Sequence, residues 1–345
     1  MGVELQARTS RVSIFPLEEY DAFVGSHSDA TPYHNSGWLL ASERAYGHTS
    51  WLVTVHRDGV LCGALPIVEI RPPIGARGMV SLPFCDLGGP VADDDNVRSL
   101  LVKEAATLAS TNRINPPEIR ESGKALEEAD IKKVSQSKKV RMLCPLPETA
   151  EALFKSYKPK LRSQIRKAEK NGLRAEVRAD LEAVDLFYRV FAWNMHRLGS
   201  PVHSKKWFRE LKQAYGENML IGLVFLEDQP VGAGVMLTAG GQGCIPWAST
   251  LEQYNHLAPN MLLYWRLLSH ACDQGCEVFD FGRSTMGEGT YRFKKQWGAR
   301  PYELPWADQP GPASKLRPII ENVWRRLPLG VANWIGPKLR RYITL

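Results

Sequence analysis

The 345-residue sequence contains no run of about 18 or more apolar residues, so no membrane-spanning helix is expected. Its first ten residues, MGVELQARTS, lack the apolar stretch of a cleaved secretion signal, and Gln6 stands where a myristoylation signal calls for Ser or Thr. Cysteine is scarce: six irregularly spaced residues point to reduced thiols and a cytoplasmic setting. The eight histidines form neither an H-E-x-x-H nor an H-x-x-E-H pattern, and no G-x-S-x-G elbow occurs, so metallohydrolase and serine-hydrolase chemistry have no support. Cys272 and Cys276, with His270 nearby, lack the further ligands that a structural metal needs and read as buried thiols; no metal site is expected.

Charge is plentiful but uneven. The chain carries 44 Lys and Arg against 37 Asp and Glu, a formal net charge of +7. Lys155–Arg178 holds nine basic and two acidic residues, and Ser314–Leu345 holds seven and one. These segments contribute +7 and +6, which leaves −6 for the remainder. Clustered cations suit an anionic partner such as phosphate, nucleic acid or a lipid headgroup, or simply form a solvated face.

Hydrophobic periodicity divides the chain into two similar halves. The first half reads as a strand at Arg11–Phe15, helices at Leu17–Val24 and Ser36–Tyr46, and a hairpin Ser50–Arg57 and Val60–Ile70 across Asp58-Gly59. A strand at Met79–Leu82 and a helix capped by one of Asp93–Asp95 follow, and Glu118–Glu121 and Val140–Leu143 complete the expected sheet. Pro145–Pro147 is a candidate hinge. The second half reads as helices at Glu148–Tyr157, Lys160–Asn171, Leu181–Leu198 and Lys205–Tyr215. A hairpin Leu220–Glu227 and Val231–Ala239 comes next, then a strand at Gly243–Ser249, a helix at Pro259–Gln274 and strands at Glu277–Gly282 and Pro301–Trp306. The order predicts an α/β fold with mixed sheets, duplicated as two tandem domains similar to the GCN5-related N-acetyltransferases (GNAT). The expected domains are 1–147 and 148–307, followed by a basic Trp/Arg-rich tail, 308–345.

Several short motifs weigh against their plainer readings. Gln229–Gly234 fits the Q/R-x-x-G-x-G cradle for the coenzyme A pyrophosphate, yet it leads into a strand rather than a helix and reads as a hairpin strand of small residues. Asp280-Phe281-Gly282 resembles the magnesium-binding triplet of protein kinases, but the other kinase motifs are missing. On Lys158–Lys170, Leu161, Ile165 and Ala168 form a narrow apolar stripe, leaving Arg162, Arg166, Lys167 and Lys170 outward to grip phosphate; no DNA-reading element accompanies them, so DNA is not an expected partner. The richest stretch is Phe281–Ala299, read as a loop. It combines Arg283, Arg292, Lys294 and Lys295 with Ser284, Thr285, Tyr291, Trp297 and the turn-permitting Gly282, Gly287 and Gly289, a set suited to an anionic or sugar-bearing substrate.

The run FDFGRSTMGEGTYRFKKQWGARPYELPW closely resembles the signature of the FemAB-like proteins associated with PEP-CTERM/exosortase exopolysaccharide loci. LRSQIRKAEKNGL, FAWNMHRLGSPV, IPWASTLEQYNHLAPNMLLYW and VSLPFCDLGGPVADD are also similar to that group. The resemblance covers roughly residues 10 to 306. It implies two tandem acetyltransferase-like domains around a cleft, and an acyl or aminoacyl transferase with no permanently bound cofactor. Acyl-CoA or aminoacyl-tRNA would be the donor, and an envelope or exopolysaccharide precursor the acceptor. The family's F-K-K-G-F-like motif reads Phe293-Lys294-Lys295-Gln296-Trp297 here, which carries the transfer-assisting lysine onto Lys294. Acyl transfer needs an aligned donor, a deprotonated nucleophile and a stabilised oxyanion. Lys294 is assigned to the oxyanion or to a substrate phosphate. Asp280 or Glu288 is assigned to the amine proton, and Arg283 and Arg292 to anionic groups. Ser284, Tyr291, Lys295, Arg166, Lys167 and Asn260 complete the candidate binding set, with Trp247 and Tyr254 as stacking or core residues. A second reading is a non-catalytic module that holds a glycan or lipid-linked intermediate at the membrane. In the tail, Trp324, Trp334, Ile335 and Leu339 interleave with arginines, as in segments lying on anionic lipid at the inner face of a membrane; the alternative is a helix docked on the protein itself.

Overall fold

The computed structural model describes residues 4–127, 138–308 and 317–344. Strands β1 (Leu5–Arg11), β2 (Thr49–Arg57), β3 (Val60–Ile70) and β4 (Gly78–Val80) form the first sheet in that order, with β5 (Val91–Ala92) also pairing with β3. Asp58 and Gly59 take φ of 51° and 84°, the twin positive angles of a two-residue hairpin turn, as Asp-Gly favours. Helix α1 (Leu17–Ser26) and helix α2 (Ser36–Tyr46) follow β1; the Asn35 side chain caps α2 by accepting from the Gly37 N–H at 2.9 Å. Asp94 caps α3 (Asp95–Thr111) by accepting from Asn96 and Val97. The expected strand at Arg11–Phe15 is instead the end of β1 followed by a 3₁₀ turn at Val12–Ile14.

The second sheet has seven strands in the order β12 (Arg300–Glu303), β6 (Lys139–Pro145), β11 (Val278–Thr285), β10 (Gln242–Thr250), β9 (Gln229–Ala239), β8 (Met219–Leu226) and β7 (Leu173–Arg178). Two outcomes correct the sequence reading. Val140–Leu143 was assigned to the first sheet; β6 lies instead between β11 and β12 in the second, antiparallel to both. Pro145 ends β6, and Leu146 donates to the Glu277 carbonyl at 2.7 Å, so this segment is fixed to the sheet rather than hinged. β7, an unanticipated strand, completes the far edge.

Helices α4 (Ala150–Ser156) and α5 (Pro159–Lys170) pack against α8 (Pro259–Asp273) on one side of the second sheet, while α6 (Leu181–Leu198) lies on β8–β10 and α7 (Lys205–Tyr215) packs against α2 of the first half. One hydrophobic core crosses the halves: Trp38 on α2 meets Trp207 on α7 edge-on at 5.3 Å and stacks on Trp247 of β10 at 5.8 Å. The tail forms α10 (Arg317–Arg326) and α11 (Leu329–Arg340), both against α6. Trp324 is buried, and the Leu327 carbonyl accepts from His196 at 2.8 Å. The docked-helix reading of the tail therefore holds for its inner face; the first part of the tail, residues 309–316, lies outside the described residues. No described helix is long and apolar enough to cross a membrane.

Candidate active site

β10 and β11 run parallel and pair only at Gln242–Cys244 with Val278–Asp280. Beyond that point they part. β10 carries an irregularity between Cys244 and Trp247, where Pro246 has no N–H to offer the ladder, and β11 carries one between Asp280 and Arg283. Gly282 sits in the second irregularity with φ of 70°, a conformation that glycine adopts without strain. The two strands are thus unpaired with each other beyond Cys244 and Asp280, and Asp86 of the first half reaches the Arg283 backbone there.

Three side chains hold the Gly282 bulge. Asp280 Oδ1 accepts the Gly282 N–H at 2.7 Å. Lys294, from helix α9 (Gly289–Gln296), donates to the carbonyls of Gly282 at 3.2 Å and Arg283 at 2.8 Å. Asp86, from the loop of the first half, accepts the Arg283 N–H at 3.0 Å and lies 3.6 Å from the Arg283 Nε. Lys294 is 8% exposed, and burial brings its ammonium down from the ordinary lysine value of 10.5 to about 8; the Asp86 and Asp280 carboxylates oppose the shift and Arg283 adds to it. With two of its three N–H bonds on carbonyls, Lys294 retains one donor.

Asp280 does not suit the proton-accepting role expected of it. It is 3% exposed, its second oxygen accepts the Arg141 Nε at 2.8 Å, and both oxygens are thus engaged in a buried ion pair and a bulge contact. It positions the strand. Asp86, whose side chain is 17% exposed, is the more accessible carboxylate beside Lys294. Sequence reasoning missed both Asp86 and Arg141. The signal for Asp86 was present in the run VSLPFCDLGGPVADD, which was singled out without assigning its aspartate.

The other expected residues divide by burial. Phe281–Ala299 is not a loop: β11 extends to Thr285, and α9 then places Tyr291 and Lys294 on its buried face and Arg292 and Lys295 in solvent. Ser284 and Tyr291 are buried with hydroxyls that have no hydrogen-bond partner. Glu288 is the exposed residue that precedes α9. On α5, Arg166 and Lys167 are exposed; Arg166 lies over Phe154 at 5.3 Å, and no hydrogen bond or ion pair among the described residues joins either one to the bulge. Arg162, expected outward, is half-buried with an unpartnered Nε. Trp247 belongs to the aromatic core between the halves, edge-on to Phe208 at 5.0 Å besides its stack on Trp38, which corrects its placement in the binding set. Tyr254 donates to Gln229 Oε1 at 2.9 Å, and Asn260 is half-buried near the start of α8. Gln229–Gly234 lies within β9, so it cradles no pyrophosphate at a helix start.

Residues 155–295 match the family described as Acetyltransferase (GNAT) domain. No curated protein matches the sequence. Among solved structures, the chain is similar to FemX, at a TM-score of 0.66 and 16% identity over 86% of this chain and 95% of that one. It is also similar to the C-terminal domain of a putative lysylphosphatidylglycerol synthetase from Agrobacterium fabrum, at 0.51 and 12% over 89% and 96%. L-PGS from Bacillus licheniformis matches at 0.50 and 12% over 96% and 98%. The fold is mixed α/β; residues 155–295 match the GNAT acetyltransferase-domain family, and the architecture is similar to that of FemX along most of its length.

Proposed function

We propose that the protein is an acyltransferase that moves an acyl or aminoacyl group onto an amine or hydroxyl of a cell-envelope or exopolysaccharide precursor. The observation that carries this reading is the gap between β10 and β11, bordered by the Gly282 bulge and the buried Lys294 within the GNAT-matching segment. In this reading the donor carbonyl enters the gap. The acceptor's amine or hydroxyl attacks the carbonyl carbon, the carbonyl electrons move onto oxygen, and the remaining Lys294 N–H stabilises that charge. Asp86 takes the proton lost by the acceptor, and collapse of the intermediate expels the donor's leaving group. Acyl-CoA, the donor of GNAT domains, and aminoacyl-tRNA are the two donors to compare.

The test is transfer of label from radioactive acyl-CoA or aminoacyl-tRNA to envelope precursors. Transfer by the wild type that Lys294→Ala lowers at least a hundredfold supports the assignment. Wild-type turnover in that variant overturns it, and acceptor binding without transfer from either donor favours the non-catalytic module.

We also propose that the tail rests on an anionic membrane. Val331, Trp334, Leu339 and Ile343 are exposed on its outer side, and the Lys338 ammonium lies 3.4 Å from the Trp334 ring centroid, so apolar and cationic groups share one face. This contact would bring the site to a lipid-linked acceptor at the inner leaflet.

A further inference from the structure

Three guanidinium groups converge where the end of the chain crosses the loop that carries Asp86. Arg120 is 1% exposed. Its Nε pairs with Glu118 at 2.8 Å, and its Nη1 donates to the carbonyls of Leu82, Cys85 and Thr344 at 3.1, 2.8 and 3.1 Å. Its Nη2 is buried with no acceptor. The Trp306 ring lies near both Arg120 and Arg283, whose guanidinium carbons are 5.1 and 5.7 Å from its centroid. The Trp306 Nε1 is a second buried donor with no acceptor. Arg340, at the end of α11, supplies the third cation. Its guanidinium carbon is 5.8 Å from the Phe84 ring, and the Phe84 N–H in turn donates to the Thr344 carbonyl at 2.6 Å.

These charges sense one another. Burial pulls Arg340 down to about 10; the Tyr46 hydroxyl opposes this, and the positive charges of Arg120 and Arg283 reinforce it. Arg120 has Glu118 and Arg283 has Asp86, but among the described residues Arg340 has no carboxylate within ion-pair distance. A buried donor without an acceptor costs stability, and so does a cluster of like charges. Both are relieved by an anion with several acceptor oxygens. Two unmatched N–H groups and a guanidinium that has no carboxylate partner, its Nη1 donating only to the Ile343 carbonyl at 2.6 Å, suit a phosphoryl or diphosphoryl group.

We propose that Arg120, Arg283, Arg340 and the indole N–H of Trp306 form a binding site for a phosphoryl or diphosphoryl group, and that the C-terminal segment is an integral part of it. Because the Arg283 backbone belongs to the Gly282 bulge, a phosphate held by its side chain lies one side chain away from the carbonyls that Lys294 engages. The assignment of this phosphate to the acceptor rests on the acyltransferase reading; the binding itself does not.

The test is calorimetric titration of the full chain with inorganic pyrophosphate in the absence of any donor. Binding to the wild type is expected, with a loss of about tenfold to a hundredfold in Arg340→Gln, several-fold in Trp306→Phe and none in Lys155→Gln, an exposed surface lysine. Trp306→Phe removes the indole N–H while keeping an aromatic ring beside Arg120 and Arg283, and it tests the site if Arg340→Gln fails to fold. Absence of pyrophosphate binding to the wild type overturns the site, as does equal affinity in the wild type, Arg340→Gln and Trp306→Phe. Competition by farnesyl diphosphate against ADP then assigns the phosphate to a lipid-linked or a nucleotide-linked source. Acyl transfer by a wild type that binds no pyrophosphate sinks this site alone, and pyrophosphate binding by a wild type that transfers no acyl group sinks the acyltransferase reading alone.

Discussion

Asp86 accepts the backbone N–H of Arg283, a residue 197 positions later in the chain, at 3.0 Å. One half of the molecule thereby fixes the backbone geometry of the other half's candidate active site. Asp86→Asn keeps an acceptor oxygen but removes the charge that favours the Lys294 ammonium. The variant is expected to retain its melting temperature within a few degrees, lose at least tenfold in kcat and show a lower apparent pKa for its basic limb. An unchanged pH profile would remove Asp86 from the site.

The pH dependence of Lys294 has a defined sign. The ammonium is present below about 8 in the folded protein, and the unfolded reference is 10.5. Transfer is therefore expected to fall about tenfold per pH unit above 8. Between these values the unfolded chain binds a proton that the folded chain lacks, so this group's contribution to stability rises with pH as activity falls. Parallel rate and urea-denaturation measurements from pH 7 to 10 check both trends.

Much of this arrangement was legible in the sequence, and the exceptions have physical causes. Asp58-Gly59, Asn35 and the glycine after Asn171 announce their turns and caps locally, and each lies where its chemistry places it. The stretch from Phe281 to Ala299 stands out in the sequence as a candidate site but reads as a loop, because its glycines and cations conceal a short helix whose buried face is only Tyr291 and Lys294. The partners of the bulge were not legible. Asp86 and Arg141 meet it through pairings across 197 and 139 positions, and no local pattern encodes such distances.

The Arg141–Asp280 pair is buried on both sides, with side chains 8% and 4% exposed. Asp280→Ala strands the guanidinium and is expected to lower the free energy of unfolding by about 3–5 kcal/mol, read from urea midpoints. A loss below about 1 kcal/mol would show that the pair is not the bulge's anchor.

Gly282→Ala introduces a Cβ that meets Asp86 Oδ2 at 3.5 Å, an ordinary contact, so the cost is set by the φ of 70° rather than by space. A loss of about 1–2 kcal/mol is expected. Thermal unfolding with a kcat measurement separates that strain from displacement of the Lys294 acceptors.

Trp334 is 66% exposed, so Trp334→Glu is expected to leave the melting temperature unchanged while reducing co-sedimentation with phosphatidylglycerol vesicles. Equal sedimentation of both proteins would remove the outer face of the tail from any membrane contact.

The position of β6 governs how the protein can be dissected. In a fragment comprising residues 148–307, the strand between β11 and β12 is missing, and both neighbours present unpaired edges where the intact chain has a continuous sheet. Such a fragment is expected to aggregate when expressed alone. Co-expression with residues 1–147 would supply the missing strand in trans, making the two pieces a reporter of their own reassembly.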